Sequence, residues 1–183
     1  MSRSAIAALL FGCTRPAASP APVVEAPLIT VREDAFGPIT AKTPATLGVL
    51  RGVLAGYDVA AVNADSLEYR VSKAGARLFD IVPDDAGAIL NIHVLTPRIA
   101  IAGHAWRVGA PLPDAVAITT CECWGDQTVC FKDGEHVAVG LAKICREGTL
   151  GTATARKALA GVAIRATIWS ARPLAPGGSG AMK

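Results

Sequence analysis

Thiol chemistry is what this sequence offers most plainly. Cys121, Cys123, Cys130 and Cys145 are four of the five cysteines in the chain, and all lie in the stretch from Thr119 to Cys145. Two chemistries compete for them: oxidation to disulfides, or four thiolates around a zinc ion. The spacing favours oxidation, because Cys-X-Cys puts both thiols on one face of a strand and the paired Cys-X-X-Cys knuckles of zinc sites are missing. Zinc stays the rival reading. Thiol-redox catalysis is weaker, since no helix N-terminus stands beside the Cys-X-Cys to lower a thiol pKa.

The elements that must position these cysteines are strands. Gly125-Asp126 and Asp133-Gly134 interrupt runs of alternating polarity, and such dipeptides form two-residue hairpin loops. A three-stranded antiparallel meander results. With Gly125-Asp126 as the loop, Trp124 faces Gln127, Cys123 faces Thr128, Glu122 faces Val129 and Cys121 faces Cys130. The last is a non-hydrogen-bonded pair, where Cα atoms stand about 4.5 Å apart and a disulfide can close. This predicts Cys121–Cys130 and, by elimination, Cys123–Cys145, although four cysteines allow three pairings and sequence alone does not choose among them. The second loop, Asp133-Gly134, sets Cys130 opposite Val137.

Other reactive residues are scattered. His93 shares the polar face of AILNIHVL with Asn91, His104 follows a glycine before Trp106, and His136 follows the Asp133-Gly134 turn. None has the helical spacing of a paired metal ligand, so each reads as a surface residue and no metal or cofactor is expected. Asp84-Asp85 belongs to a turn that needs those residues for its backbone. No Gly-X-Ser-X-Gly elbow or glycine-rich phosphate loop occurs, and no catalytic residues are assigned. Trp124 either packs over the disulfide or, if exposed, anchors a partner; Trp106 is the second such candidate.

The N-terminus bears on where the thiols live. MSRSAIAALLFGC has one cation at Arg3, a short apolar run from Ala5 to Phe11, and a cleavage pattern ending at Cys13. It resembles a bacterial lipoprotein signal over residues 1–12, with lipidation of Cys13. Residues 13–27 are a Pro/Ala-rich tether. A Gram-negative envelope follows, and Thr14 rather than Asp after the cysteine points to the outer membrane. That compartment is oxidising and suits disulfides. The net charge of +3 is too small for a nucleic-acid footprint. After the N-terminus no apolar run is long enough for a membrane-spanning helix.

One domain is expected over residues 28–172, followed by a disordered tail over 173–183. Leu28 to Arg32 is a short strand. A helix follows, capped by Thr43 with Pro44 at its first position, burying Leu47, Leu50, Val53 and Leu54 and stopping at Gly56. Gly48 and Gly52 allow it close packing on a sheet. Period-two alternation then gives four antiparallel strands in YDVAAV, LEYRVS, RLFDIV and AILNIHVL. The second half echoes this with a strand at RIAIA, a helical turn over Leu112 to Val116, the cysteine meander, a short helix over Thr152 to Leu159 and a closing strand in GVAIRATIWSAR. The class is α+β: antiparallel sheets with one clear helix, one or two short ones, and a two-fold pseudo-repeat of helix plus meander.

The GPITAKTP and LRGVLAGYDV segments, the Val-Cys hairpin and the late GVAIRATIW strand together resemble a family of uncharacterised, sigma-E-regulated envelope lipoproteins of proteobacteria. The likeness covers residues 29–174, and Cys123 and Cys145 depart from it. It implies an α+β envelope domain with no assigned ligand or catalytic residue. The expected function is therefore a non-catalytic, lipid-anchored module facing the periplasm, bound to an envelope protein or a cell-wall partner. The alternatives are an inhibitor-like module docking on a secreted enzyme, and a small hydrolase or thiol-redox enzyme.

Overall fold

The computed structural model describes residues 28–63, 67–113, 118–142 and 159–177. Twelve strands and one short helix occur among them, so the fold is mostly β. The large sheet is antiparallel throughout and has eight strands. Its first four are β4 (Asp58–Ala61), β5 (Tyr69–Lys73), β6 (Ala76–Pro83) and β7 (Ile89–Val94). Its other four are β9 (Thr120–Trp124), β10 (Gln127–Phe131), β11 (Val137–Leu141) and β12 (Ile164–Ser170). Their order is β4-β5-β6-β7-β12-β11-β10-β9. Two four-stranded antiparallel runs thus meet through their final strands; the second-half helices of the expected pseudo-repeat lie outside the described residues apart from their ends.

A second, four-stranded sheet holds β1 (Thr30–Val31), β2 (Ala35–Phe36), β3 (Ile39–Thr40) and β8 (Ala100–Ile101) in the order β3-β2-β1-β8, with β1 and β8 parallel. Period-two alternation decides what lies between the sheets. Val59, Val71, Phe79, Ile81, Ile92, Val94, Val137, Val139 and Trp169 are register partners along one face of the large sheet. All are buried in one core with Phe36 and Ile39 of the small sheet and Leu50 and Leu54 of the helical segment. The Phe36 ring stands 4.8 Å from Phe79 and 6.5 Å from Trp169.

The four strands expected after the helix are β4 to β7. Ala74-Gly75 joins β5 to β6 with φ of 50° and 77°. Both values are positive, as a type I′ hairpin requires. Helix α1 starts later than expected, at Leu47–Val53, with Thr46 as its N-cap and no side-chain bond there. The reason lies in Pro44, which bridges Ala88, while the Ala45 N–H reaches the Gly87 carbonyl at 3.1 Å. That pairing holds residues 44–45 extended, and Thr43 bonds Thr40 instead of capping. Gly48 and Gly52 do not face a sheet: an added Cβ at either meets nothing within 4 Å. Gly48→Ala and Gly52→Ala should each stabilise the protein, by about 0.5–1 kcal/mol, through lower unfolded-state entropy. Urea midpoints that fall instead of rising would contradict this solvent-facing placement.

The cysteine hairpin has the expected register, with Cys121 opposite Cys130 and Trp124 opposite Gln127. Cys121 and Cys130 form a disulfide with Cα atoms 4.1 Å apart. Cys123 is also disulfide-bonded, but Cys145, its expected partner, lies outside the described residues. So do Cys13, the N-terminal signal and tether, most of the 112–116 turn, and the 152–159 helix except its last residue. The second turn corrects an expectation, because Cys130 faces Val139 and not Val137. The loop is wider because its backbone bonds elsewhere. Gly134 N–H reaches the Leu174 carbonyl at 2.8 Å, and Leu174 N–H reaches the Glu135 carbonyl at 2.8 Å. A shift of two residues keeps each side chain on its face, so the core is unchanged.

The tail also begins later than residue 173. Leu174 is 7% exposed and completes a small second core with Trp124, Val129, Phe131, Ala138 and Ile168, on the other face of the large sheet. No helix among the described residues is long and apolar enough to cross a membrane.

Candidate functional site

Three loops converge where the end of the small sheet meets the β10–β11 connection. The first is the β1–β2 turn, closed by Arg32 N–H to the Ala35 carbonyl at 2.8 Å, with Glu33 at its tip. The second leaves β8 through Ala102 and Gly103 into His104; Ala102 N–H is held by the Val31 carbonyl at 2.8 Å. The third runs from Lys132 to His136. Together Glu33, His104, Glu135 and His136 line a cleft of about 330 Å³.

Each side chain is held by identifiable contacts. The Trp169 indole N–H donates to the Glu33 carbonyl at 3.2 Å, tying the β1–β2 turn to β12. His136 Nδ1 lies 2.8 Å from the Ser170 carbonyl. A carbonyl only accepts, so the proton is on Nδ1 and the neutral ring keeps a lone pair on Nε2. The His136 backbone carbonyl accepts from Ser170 N–H at 2.7 Å, which locks the same residue pair twice. Lys132 Nζ donates to Glu135 Oε1 at 2.9 Å, and Glu135 raises the Lys132 pKa. Glu135 Oε2 stands 3.8 Å from His104 Nε2, an ion-pair distance beyond hydrogen-bond reach. The His104 ring lies 4.0 Å from the Trp106 ring at an interplanar angle of 29°.

The sequence treated these histidines as separate surface residues, and the fold brings His104 and His136 together. His93 stays apart, half-buried on the other face of the large sheet opposite Asp80. Asp80 pairs with Arg77. Glu33 had no sequence signal at all. Its distance along the chain from His104 and Glu135 matches no motif: the parallel β1–β8 pairing brings it towards His104, and the Trp169 bond from β12, paired with β11, brings it towards Glu135.

Both tryptophans proposed as exposed anchors are buried. Trp106 is 2% exposed and forms the wall behind His104; its indole N–H has no partner among the described residues. Trp124 is 9% exposed. It packs neither outward nor over the disulfide, because residues 121 and 124 differ by an odd number and so face opposite sides of the strand. Its ring is 6.4 Å from Phe131, and its N–H reaches Glu122 Oε2 at 3.3 Å. Among the described residues no hydroxyl or thiol side chain is hydrogen-bonded to an imidazole, and no three His, Cys, Asp or Glu side chains are placed to hold a metal ion.

Burial lowers the pKa of both His93 and His104 from the usual value of about 6.5, against the opposing pull of Asp80 and Glu135 respectively. The unfolded chain therefore takes up these protons first on acidification. Stability is fully present above about pH 6.5 and is lost as pH falls through the lowered folded values. Urea midpoints should drop between about pH 7.5 and pH 5, and His93→Gln with His104→Gln should flatten that drop. An unchanged slope in the double variant would assign it to other groups.

Comparison with solved structures finds the crystal structure of the uncharacterized protein yfeY from Escherichia coli at a TM-score of 0.55 and 20% identity, over 77% of this chain and 99% of that one. At that identity the likeness concerns the fold. No family model matches the sequence, and no curated protein matches it.

Proposed function

We propose that the chain is a lipid-anchored cell-envelope protein, a non-catalytic module that binds its partner through the cleft lined by Glu33, His104, Glu135 and His136. The observation that carries the reading is the buried Cys121–Cys130 disulfide, joining paired strands at 1% and 0% exposure. Structural disulfides of this kind persist in oxidising compartments. The lipoprotein-like start ending at Cys13 and the Pro/Ala-rich segment after it support the same compartment. Anchoring is expected through acyl chains on Cys13 in the outer membrane, with the body facing the periplasm. Membership of the sigma-E-regulated lipoprotein family belongs to this proposal, supported by the GPITAKTP, LRGVLAGYDV and GVAIRATIW segments of the sequence.

Two measurements test it. Cys13→Ala should move the protein from the membrane fraction to the soluble fraction, because several acyl chains anchor stably and none leaves no anchor. Equal solubility of wild type and variant would remove the lipoprotein reading. A photo-crosslinking side chain at exposed Asp34, beside Glu33, should give a discrete adduct in intact cells. The same group at Leu67, which is 56% exposed near the β4 edge, should not. Identical patterns from both positions would remove the cleft as the contact site.

A further inference from the structure

The cleft presents side-chain acceptors on Glu33, Glu135 and His136, and they bear on its occupant. The Glu33 carboxylate lines the cleft and is attracted at longer range by the Lys132 ammonium, with no side-chain hydrogen bond among the described residues. Glu135 gives Oε1 to Lys132, while its Oε2 faces His104 Nε2 at 3.8 Å, beyond hydrogen-bond reach. His136 commits its Nδ1 proton to the Ser170 carbonyl and keeps Nε2 as a lone pair.

We propose that this cleft binds an ammonium or guanidinium group, with the Glu33 carboxylate, Glu135 Oε2 and His136 Nε2 as its acceptors. The inference rests on the cleft being the ligand-contact site. The chain itself supplies a precedent: Lys132 already satisfies one oxygen of Glu135 as an ammonium at 2.9 Å. Two carboxylates, Glu33 and Glu135, share the attraction of one ammonium, Lys132, so the cleft wall keeps a net negative charge when the imidazoles are neutral. An anionic ligand would meet that charge unfavourably. A metal ion would need converging ligands, and among the described residues no three such side chains are placed to hold one. The His104 ring, backed by Trp106 at 4.0 Å, gives a flat wall for the alkyl stem that carries the cationic head.

The test uses the purified full-length chain with isotope-labelled histidine, followed by side-chain NMR at about pH 7.5. Butylammonium chloride should shift the His136 ring signals saturably, whereas the neutral isostere butanol should not. N-acetyl-lysine amide and N-acetyl-arginine amide, compared side by side, distinguish an ammonium from a guanidinium source. Glu33→Gln removes the charge at an exposed position without touching the core, and should weaken binding about tenfold at an unchanged melting temperature. Equal response to butanol, or undiminished binding by Glu33→Gln, overturns the proposal. So does stoichiometric zinc shifting both His104 and His136 where amines do nothing. Persistence of the Asp34 crosslink despite amine failure would reject the ligand class while leaving the binding module intact; loss of the crosslink itself would reject the module.

Discussion

Truncating Trp169 to alanine is expected to cost about 3–5 kcal/mol, the range for a large aromatic removed from a packed core. Trp169 is 1% exposed, lies centrally in the large sheet and faces the small one across the core. It pairs in register with Ile92 of β7 and Val137 of β11, so the cavity would open where the two meanders meet. Its indole N–H also holds the Glu33 carbonyl at 3.2 Å. Two effects should therefore separate in two variants. Trp169→Phe keeps most of the ring volume and loses that bond, costing about 1–2 kcal/mol while loosening the β1–β2 turn. Trp169→Ala loses both and should lower the melting temperature by on the order of 10 °C for a domain of this size. Equilibrium urea unfolding of both variants measures the difference. Equal losses would mean that the ring packs poorly and the bond dominates.

Removing the Cys121–Cys130 bridge is the second large effect. The cross-link spans a sequence separation of 9. Chain-entropy reasoning assigns about 3 kcal/mol to a loop of that size. Total stability is typically about 5–15 kcal/mol, so the loss is a large fraction. Both side chains are buried, which makes Cys→Ala at both positions add a packing loss, whereas reduction under native conditions reports the bridge more cleanly. Reductant should lower the midpoint clearly and chelator should leave it unchanged. The reverse pattern, with chelator destabilising and reductant inert, would restore the zinc chemistry. Intact mass of the oxidised protein before and after alkylation counts the bridges, and peptide mapping assigns the partner of Cys123.

The hairpin at Gly125-Asp126 was readable in detail because all its determinants are local. A dipeptide that tolerates positive φ sets the loop, Gly125 has φ of 58°, and antiparallel pairing then dictates every partner outward from it. The Asp133-Gly134 hairpin had the same local signal and missed its register by two residues. Its loop atoms bond to Leu174, about forty residues onward in the chain, and no local pattern reports a distant competitor for backbone groups. The helix start shows the same limit: Thr43-Pro44 is a sound local cap, displaced by the bridge from Pro44 to Ala88.

By itself the sequence determined most strand segments of the large sheet, their inward faces and the register that sets Cys121 opposite Cys130. Side-chain alternation and turn chemistry are short-range properties that survive whatever the rest of the chain does. Tertiary structure alone decided that β7 and β12 join the two meanders and that β1 lies parallel to β8. It also buried Trp106 and Trp124 and gathered Glu33, His104, Glu135 and His136 around one cleft. Each of these depends on which buried faces meet across long stretches of chain. Many apolar strands are interchangeable in that respect until the whole core is packed.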